Sequence, residues 1–145
     1  MSIYSVTQAS ISTGTALKTL MELATAATAR ATLVSWWVEF DGIVSTNVPI
    51  KVELARATAA ITGTAVTEVK FDDFAPTPLA QGIHTATAEG TVGDILEKHF
   101  VHPQAGLLIQ YPLGREPKVP VSGFIRVQVT AGVSVNACVG MLWEE

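Results

Sequence analysis

Ala31-Thr-Leu-Val-Ser-Trp-Trp-Val-Glu-Phe-Asp-Gly42 carries the clearest structural signal in the chain. Apolar and polar residues alternate through it and it ends on an Asp-Gly turn pair, the pattern of a β-strand with one face buried. Val34, Trp36, Val38 and Phe40 then share one face, while Leu33, Ser35, Trp37 and Glu39 share the other. A two-layer domain takes only one of two adjacent indoles into its core. The second, Trp37, faces outward, where a large apolar ring marks a partner surface or a covering loop.

Working outward, the same period recurs. Ile50, Val52 and Leu54 alternate with Lys51, Glu53 and Ala55, and Pro49 stands at the strand entrance where its missing N–H does least harm. Thr67, Val69 and Phe71 alternate with Glu68 and Lys70. Leu107 to Tyr111 is almost continuously apolar, which predicts a strand covered on both faces. Ile125, Val127 and Val129 alternate up to Ala131-Gly132, and Val133, Val135, Ala137, Val139 and Met141 continue beyond it, which predicts a hairpin. Residues 15–29 fit a helical stripe and a strand face equally well, and the β-rich surroundings favour strand. A short helical turn is expected near Asp94 to Lys98. The Pro- and Gly-rich section from Phe71 to Gln104 reads as a long connection, of a length that implies function, an interface arm or a hidden irregular strand. These features predict an all-β fold, a single-domain jelly-roll-like two-sheet β-sandwich spanning residues 1–145.

Composition narrows the function. The charged fraction is 15% against a hydrophobic fraction of 48%, and mean hydropathy is positive. Globular chains carry about a quarter charged residues. The excess apolar surface calls for a membrane or a subunit interface. No run of about 18 uncharged apolar residues exists, because Lys18, Glu22 and Arg30 interrupt the longest candidate, so burial between copies is the expectation. The N-terminal residues lack the basic and apolar regions of a signal peptide, which predicts synthesis in the host cytoplasm. A net charge of -4 with nine scattered Lys and Arg residues argues against nucleic acid. Cys138 has no second cysteine to pair with and reads as a small buried hydrophobe.

Chemistry-bearing patterns are few. His99 and His102 lie three apart, so on a strand they face opposite ways, and only distant His84 could complete a metal site with Glu97. Asp72-Asp73 lacks the alternating oxygen ligands of a calcium loop and reads as a solvated turn. No Gly-x-Ser-x-Gly elbow is present, and Gly106, Gly114 and Gly123 are too far apart to cradle phosphate. A cupin-type metalloenzyme is disfavoured because the Gly82-Ile-His84 segment is not followed by a nearby second histidine and glutamate. The expectation is therefore no catalytic residue, no cofactor and no metal. Gln110 to Pro120 joins two strong strands and combines prolines with Arg115 and Glu116. It is either a rigid surface connection or a protruding contact loop whose Arg115 pairs with a carboxylate on another subunit.

The order of Leu17-Lys-Thr-Leu20, Trp36 to Gly42, Pro49-Ile-Lys-Val-Glu-Leu54, Gln110-Tyr-Pro-Leu-Gly-Arg-Glu-Pro117, Val135-Asn-Ala137 and Leu142-Trp-Glu-Glu145 resembles small virion proteins of tailed bacteriophages over most of the chain. Such proteins are known as head decoration, cement or minor structural proteins, and several are jelly-roll trimers seated on the capsid. The resemblance implies a non-enzymatic capsid decoration protein on the virion surface, a homotrimer that contacts the major capsid protein. It further implies that Trp37, Tyr111, Arg115 and Glu116 touch neighbouring subunits. The rival expectation is a carbohydrate- or receptor-binding module of a phage tail or cell surface, with Trp37, Trp143, Tyr4 and Tyr111 as the aromatic candidates.

Overall fold

A computed structural model describes residues 1–42 and 47–145. Every element in it is a strand: β1 (Ile3–Ser12), β2 (Lys18–Ala24), β3 (Ala31–Phe40), β4 (Ile50–Ala59), β5 (Thr62–Val66), β6 (Val69–Lys70), β7 (Gln81–Ala88), β8 (Thr91–Val101), β9 (Gly106–Gln110), β10 (Lys118–Val119), β11 (Phe124–Thr130) and β12 (Asn136–Glu144). The first sheet runs β10-β3-β12-β1-β6, with β9 also on β3, and the second runs β5-β7-β2-β11-β4-β8. Within them, β9-β3-β12-β1 faces β2-β11-β4-β8, all antiparallel, which is the strand order of a jelly roll.

One apolar core fills the space between the sheets, with Leu23, Val52, Leu54 and Val127 meeting Val6, Trp36, Met141 and Trp143. Tyr4 and Trp143 pack with ring centroids 5.8 Å apart. Trp36 enters this core and Trp37 does not, as the alternation required. Upstream the alternation breaks. Register slips opposite Leu142 and Trp143, inserting Val34 as an extra residue, so Leu33 is fully buried and Val34 only half-buried. A bulge of this kind inverts the facing of every residue before it.

Several expectations fail for one physical reason: alternation fixes which way a strand faces, not what it pairs with. β11 and β12 are not a hairpin. β11 pairs with β2 and β4, β12 pairs with β1 and β3, and Ala131-Gly132 carries the chain from one sheet to the other. The 71–104 section holds all of β7 and β8, and Asp94 to Lys98 is strand instead of a helical turn. Thr87, Ala88 and Thr91 lie on exposed parts of the ribbon and have no core face to alternate for. β6 is two residues long, and Val69 and Phe71 are 58% and 66% exposed. Residues 18–24 are strand, as favoured.

β4 and β5 are joined by Ala60-Ile61 alone, and β7 and β8 by Glu89-Gly90 alone, so β4–β5 and β7–β8 form one continuous two-stranded ribbon. Its first half lies beside β11 and its second half beside β2, so it crosses the outer face of both. Thr19, Glu22, Arg126, Gln128 and Glu53 sit on that face and are buried beneath it. The ribbon satisfies much of this polar layer. Ile61 N–H donates to Glu22 Oε1 at 3.1 Å, Arg126 donates to the Glu89 carbonyl, and Thr19 donates its Oγ1–H to Glu89 Oε2 at 2.6 Å. Gln128 Nε2 donates to Glu53 Oε2 at 2.7 Å. Gly90 makes the crossing possible: its φ is +62°, and a Cβ there would stand 2.5 Å from the Ala59 and Ala60 carbonyl oxygens.

Candidate functional site

The two sheets differ on their outer faces. The second is roofed by the ribbon, while the first is open. There the cross-strand row Leu108, Trp37, Gly140, Thr7 runs over β9, β3, β12 and β1. Gly140 is bare so that the Trp37 indole can lie across it, since a Cβ would meet Trp37 Cζ2 at 2.0 Å and Cε2 at 2.2 Å. Packed this way, Trp37 is half-buried within the protomer. Leu108 beside it is 66% exposed, which corrects the expectation that Leu107 to Tyr111 is covered on both faces. Leu107 and Ile109 do pack against the core; Leu108 faces the other way. The apolar surface continues diagonally through Leu142 to Ile3, Val69 and Phe71.

Tyr111 points the opposite way, into the flank between the sheets. Trp36 Nε1–H donates to the Tyr111 hydroxyl at 3.1 Å, and that hydroxyl donates to Glu97 Oε1 on β8. The other oxygen of Glu97 lies 3.2 Å from His99 Nε2. Burial first, and the bond to Glu97 next, hold the Tyr111 phenol well above its ordinary pKa, so it stays a donor. This polar chain links the two sheets at their open flank, and its groups are used up inside the protomer.

Arg115 and Glu116 occupy the turn after β9, where Arg115 N–H donates to the Pro112 carbonyl. Arg115 is exposed, Glu116 half-buried, and Leu113 at the tip is 96% exposed. The four residues singled out by the sequence therefore do not converge: Trp37 lies on the open sheet face, Tyr111 in the flank, and Arg115 and Glu116 on a turn. Of the aromatic candidates for sugar binding, Tyr4 and Trp143 are fully buried core residues. Phe71, which ends the Thr67–Phe71 alternation, is 66% exposed, and Phe74 in the same turn, 97% exposed, escaped sequence reading because it belongs to no periodic run.

An open cleft of about 210 Å³ is lined by Ser10, Glu39, Asp41, Asn136 and Cys138 among others. Cys138 is half-buried there on the outer face, not in the core as its neighbours suggested, and burial followed by the Glu39 charge pushes its thiol pKa up, away from reactivity. A second cleft of about 390 Å³ lies between residues 13–18 and 86–89. His99 and His102 face apart, His102 bonding Asn47 at 3.2 Å. Among the described residues no group of three or more His, Cys, Asp or Glu side chains could hold a metal ion. Among the described residues no helix is long and apolar enough to cross a membrane. Comparison with known proteins leaves the physical reading to stand by itself: no family model, no curated protein and no solved structure matches this chain.

Proposed function

We propose that this protein is a non-enzymatic structural component of a virus particle, a capsid decoration protein that self-associates as a trimer and cements the major capsid protein lattice. The observation that carries the reading is the open apolar face centred on Trp37, in a chain with only 15% charged residues. A soluble monomer rarely leaves a contiguous apolar face in water. Buried between copies, that face becomes the core of an interface, and the exposed turn at Leu113 and Arg115 is free to reach a shell. Three linked attachment points turn a weak contact into firm hold, because each later contact is intramolecular, and so raise the barrier to shell opening. The three-fold symmetry and the capsid partner come from the resemblance to phage decoration proteins.

The test is to assemble shells from the major capsid protein of the same virus and add the purified chain. The reading expects co-sedimentation with the shells, density at three-fold positions by electron microscopy, and a higher temperature of shell opening. Failure to bind shells at any concentration, together with clear binding on a glycan array, overturns it in favour of a carbohydrate-binding module.

A further inference from the structure

We infer that β9 is a pairing edge for a second copy of this chain, joined antiparallel about a two-fold axis through Leu108. The outermost strands of the two sheets each face water along one side, and all but one carry a feature that spoils pairing. β6 and β10 are two residues long and each holds a lysine, Lys70 and Lys118. β5 slips register between Thr62 and Thr64. β8 slips three times against β4 and carries Asp94, Glu97 and Lys98. Short length, charge and bulges are the devices by which natural sheets keep their edges from pairing. β9, Gly106-Leu-Leu-Ile-Gln110, carries no charge and no bulge, and its five residues hold unbroken register with β3 over their whole length.

Its backbone polarity fits a copy of itself. Tyr111 N–H donates to the Val34 carbonyl and Phe40 N–H to the Ala105 carbonyl. The ladder therefore uses residues 105, 107, 109 and 111 toward β3 and turns the N–H and C=O groups of Gly106, Leu108 and Gln110 toward the open edge. An axis through Leu108 sets Leu108 against itself and Gly106 against Gln110, so every outward donor meets an outward acceptor. No like charges oppose one another. Leu108 and its copy would join the Trp37 rows of two protomers into one continuous surface, while the opposite flank is already occupied by the chain's own β5 to β7. This contact is separate from the three-fold association proposed above and stands whether or not the protein coats a shell.

Only a two-fold axis sets a residue opposite itself; a three-fold contact never does. Strands this short bury far less than the about 1,200 Å² of a stable interface, so the dimer dissociates on dilution and is best trapped covalently. In the full-length chain carrying Cys138→Ala, a Leu108→Cys substitution places two Cα atoms about 5.5 Å apart, inside the range of about 4.4–6.8 Å that a disulfide spans. With diamide as oxidant, this variant should form a thiol-reversible dimer about tenfold faster than Leu113→Cys, whose exposed turn position meets its copy only by collision. Leu108→Asp, at the same exposed position, should lower the dimer fraction in sedimentation equilibrium about tenfold. Equal crosslinking rates at 108 and 113, or a dimer fraction unmoved by Leu108→Asp, overturn the inference.

Discussion

Trp36 and Trp37 are one residue apart, and the difference in their surroundings is the fold in miniature. Trp36 is fully buried and finds its acceptor in the Tyr111 hydroxyl, whereas Trp37 lies against Gly140 on the outer face and is half-buried. Tyr111→Phe removes that acceptor and leaves a buried indole N–H unpaired, so it should cost about 1–3 kcal/mol in urea unfolding. Self-association should be unchanged, because the hydroxyl works inside the protomer. Glu22 carries a second residue-scale prediction. Its Oε2 is buried without a hydrogen-bond partner. Burial raises its pKa from the ordinary 4.5, the Glu89 charge adds to the rise, and the Ile61 amide and Arg126 only partly offset it. The native state thus holds this proton more tightly than the unfolded chain. Stability contributed by Glu22 falls as pH climbs from the unfolded value through the folded one, and the penalty is complete above that. Glu22→Gln should flatten the fall in unfolding free energy that sets in as pH climbs above the ordinary carboxylate range; parallel profiles for the two proteins contradict this.

At the scale of elements, the ribbon explains why the outer face of β2 and β11 is polar yet buried. It lies on charged and amide groups, so its grip is hydrogen bonding, and its path depends on Gly90. Gly90→Ala forces a left-handed residue to carry a Cβ against two carbonyls and should destabilise by about 1–3 kcal/mol. Amide exchange should show the Ile61 N–H losing protection in that variant, and a protection pattern identical to the parent would contradict the role given to the crossing. This element was also the least legible in the sequence. β3, β4, β11 and β12 announce themselves because each alternates between core and outside, and their inward residues Val38, Val52, Val127 and Val139 are fully buried as read. Ribbon residues such as Thr62, Gly63, Thr87 and Ala88 have no buried side to mark them. The bulge at Val34 was invisible because it depends on the partner strand, and the sheet change at Ala131-Gly132 because a turn between sheets and a hairpin turn look alike in one dimension. At the candidate site, Trp37 was legible by the same period that buried Trp36. The internal use of Tyr111 was not, since Glu97 arrives from the other sheet.

The whole molecule joins a sandwich with a well-filled core to one sheet face that carries Trp37, Leu108 and Leu142 toward water. Nearly half the chain is hydrophobic, and the ribbon roofs only the second sheet. The account holds that copies of the chain cover the first. Sedimentation velocity of the full chain from low to high micromolar concentration, beside Trp37→Asp, tests that claim most directly. The account predicts a species near three times the 15.3 kDa protomer mass, and its loss in Trp37→Asp with the β-rich circular dichroism spectrum retained. A wild-type chain that sediments as a 15.3 kDa monomer at every concentration contradicts it.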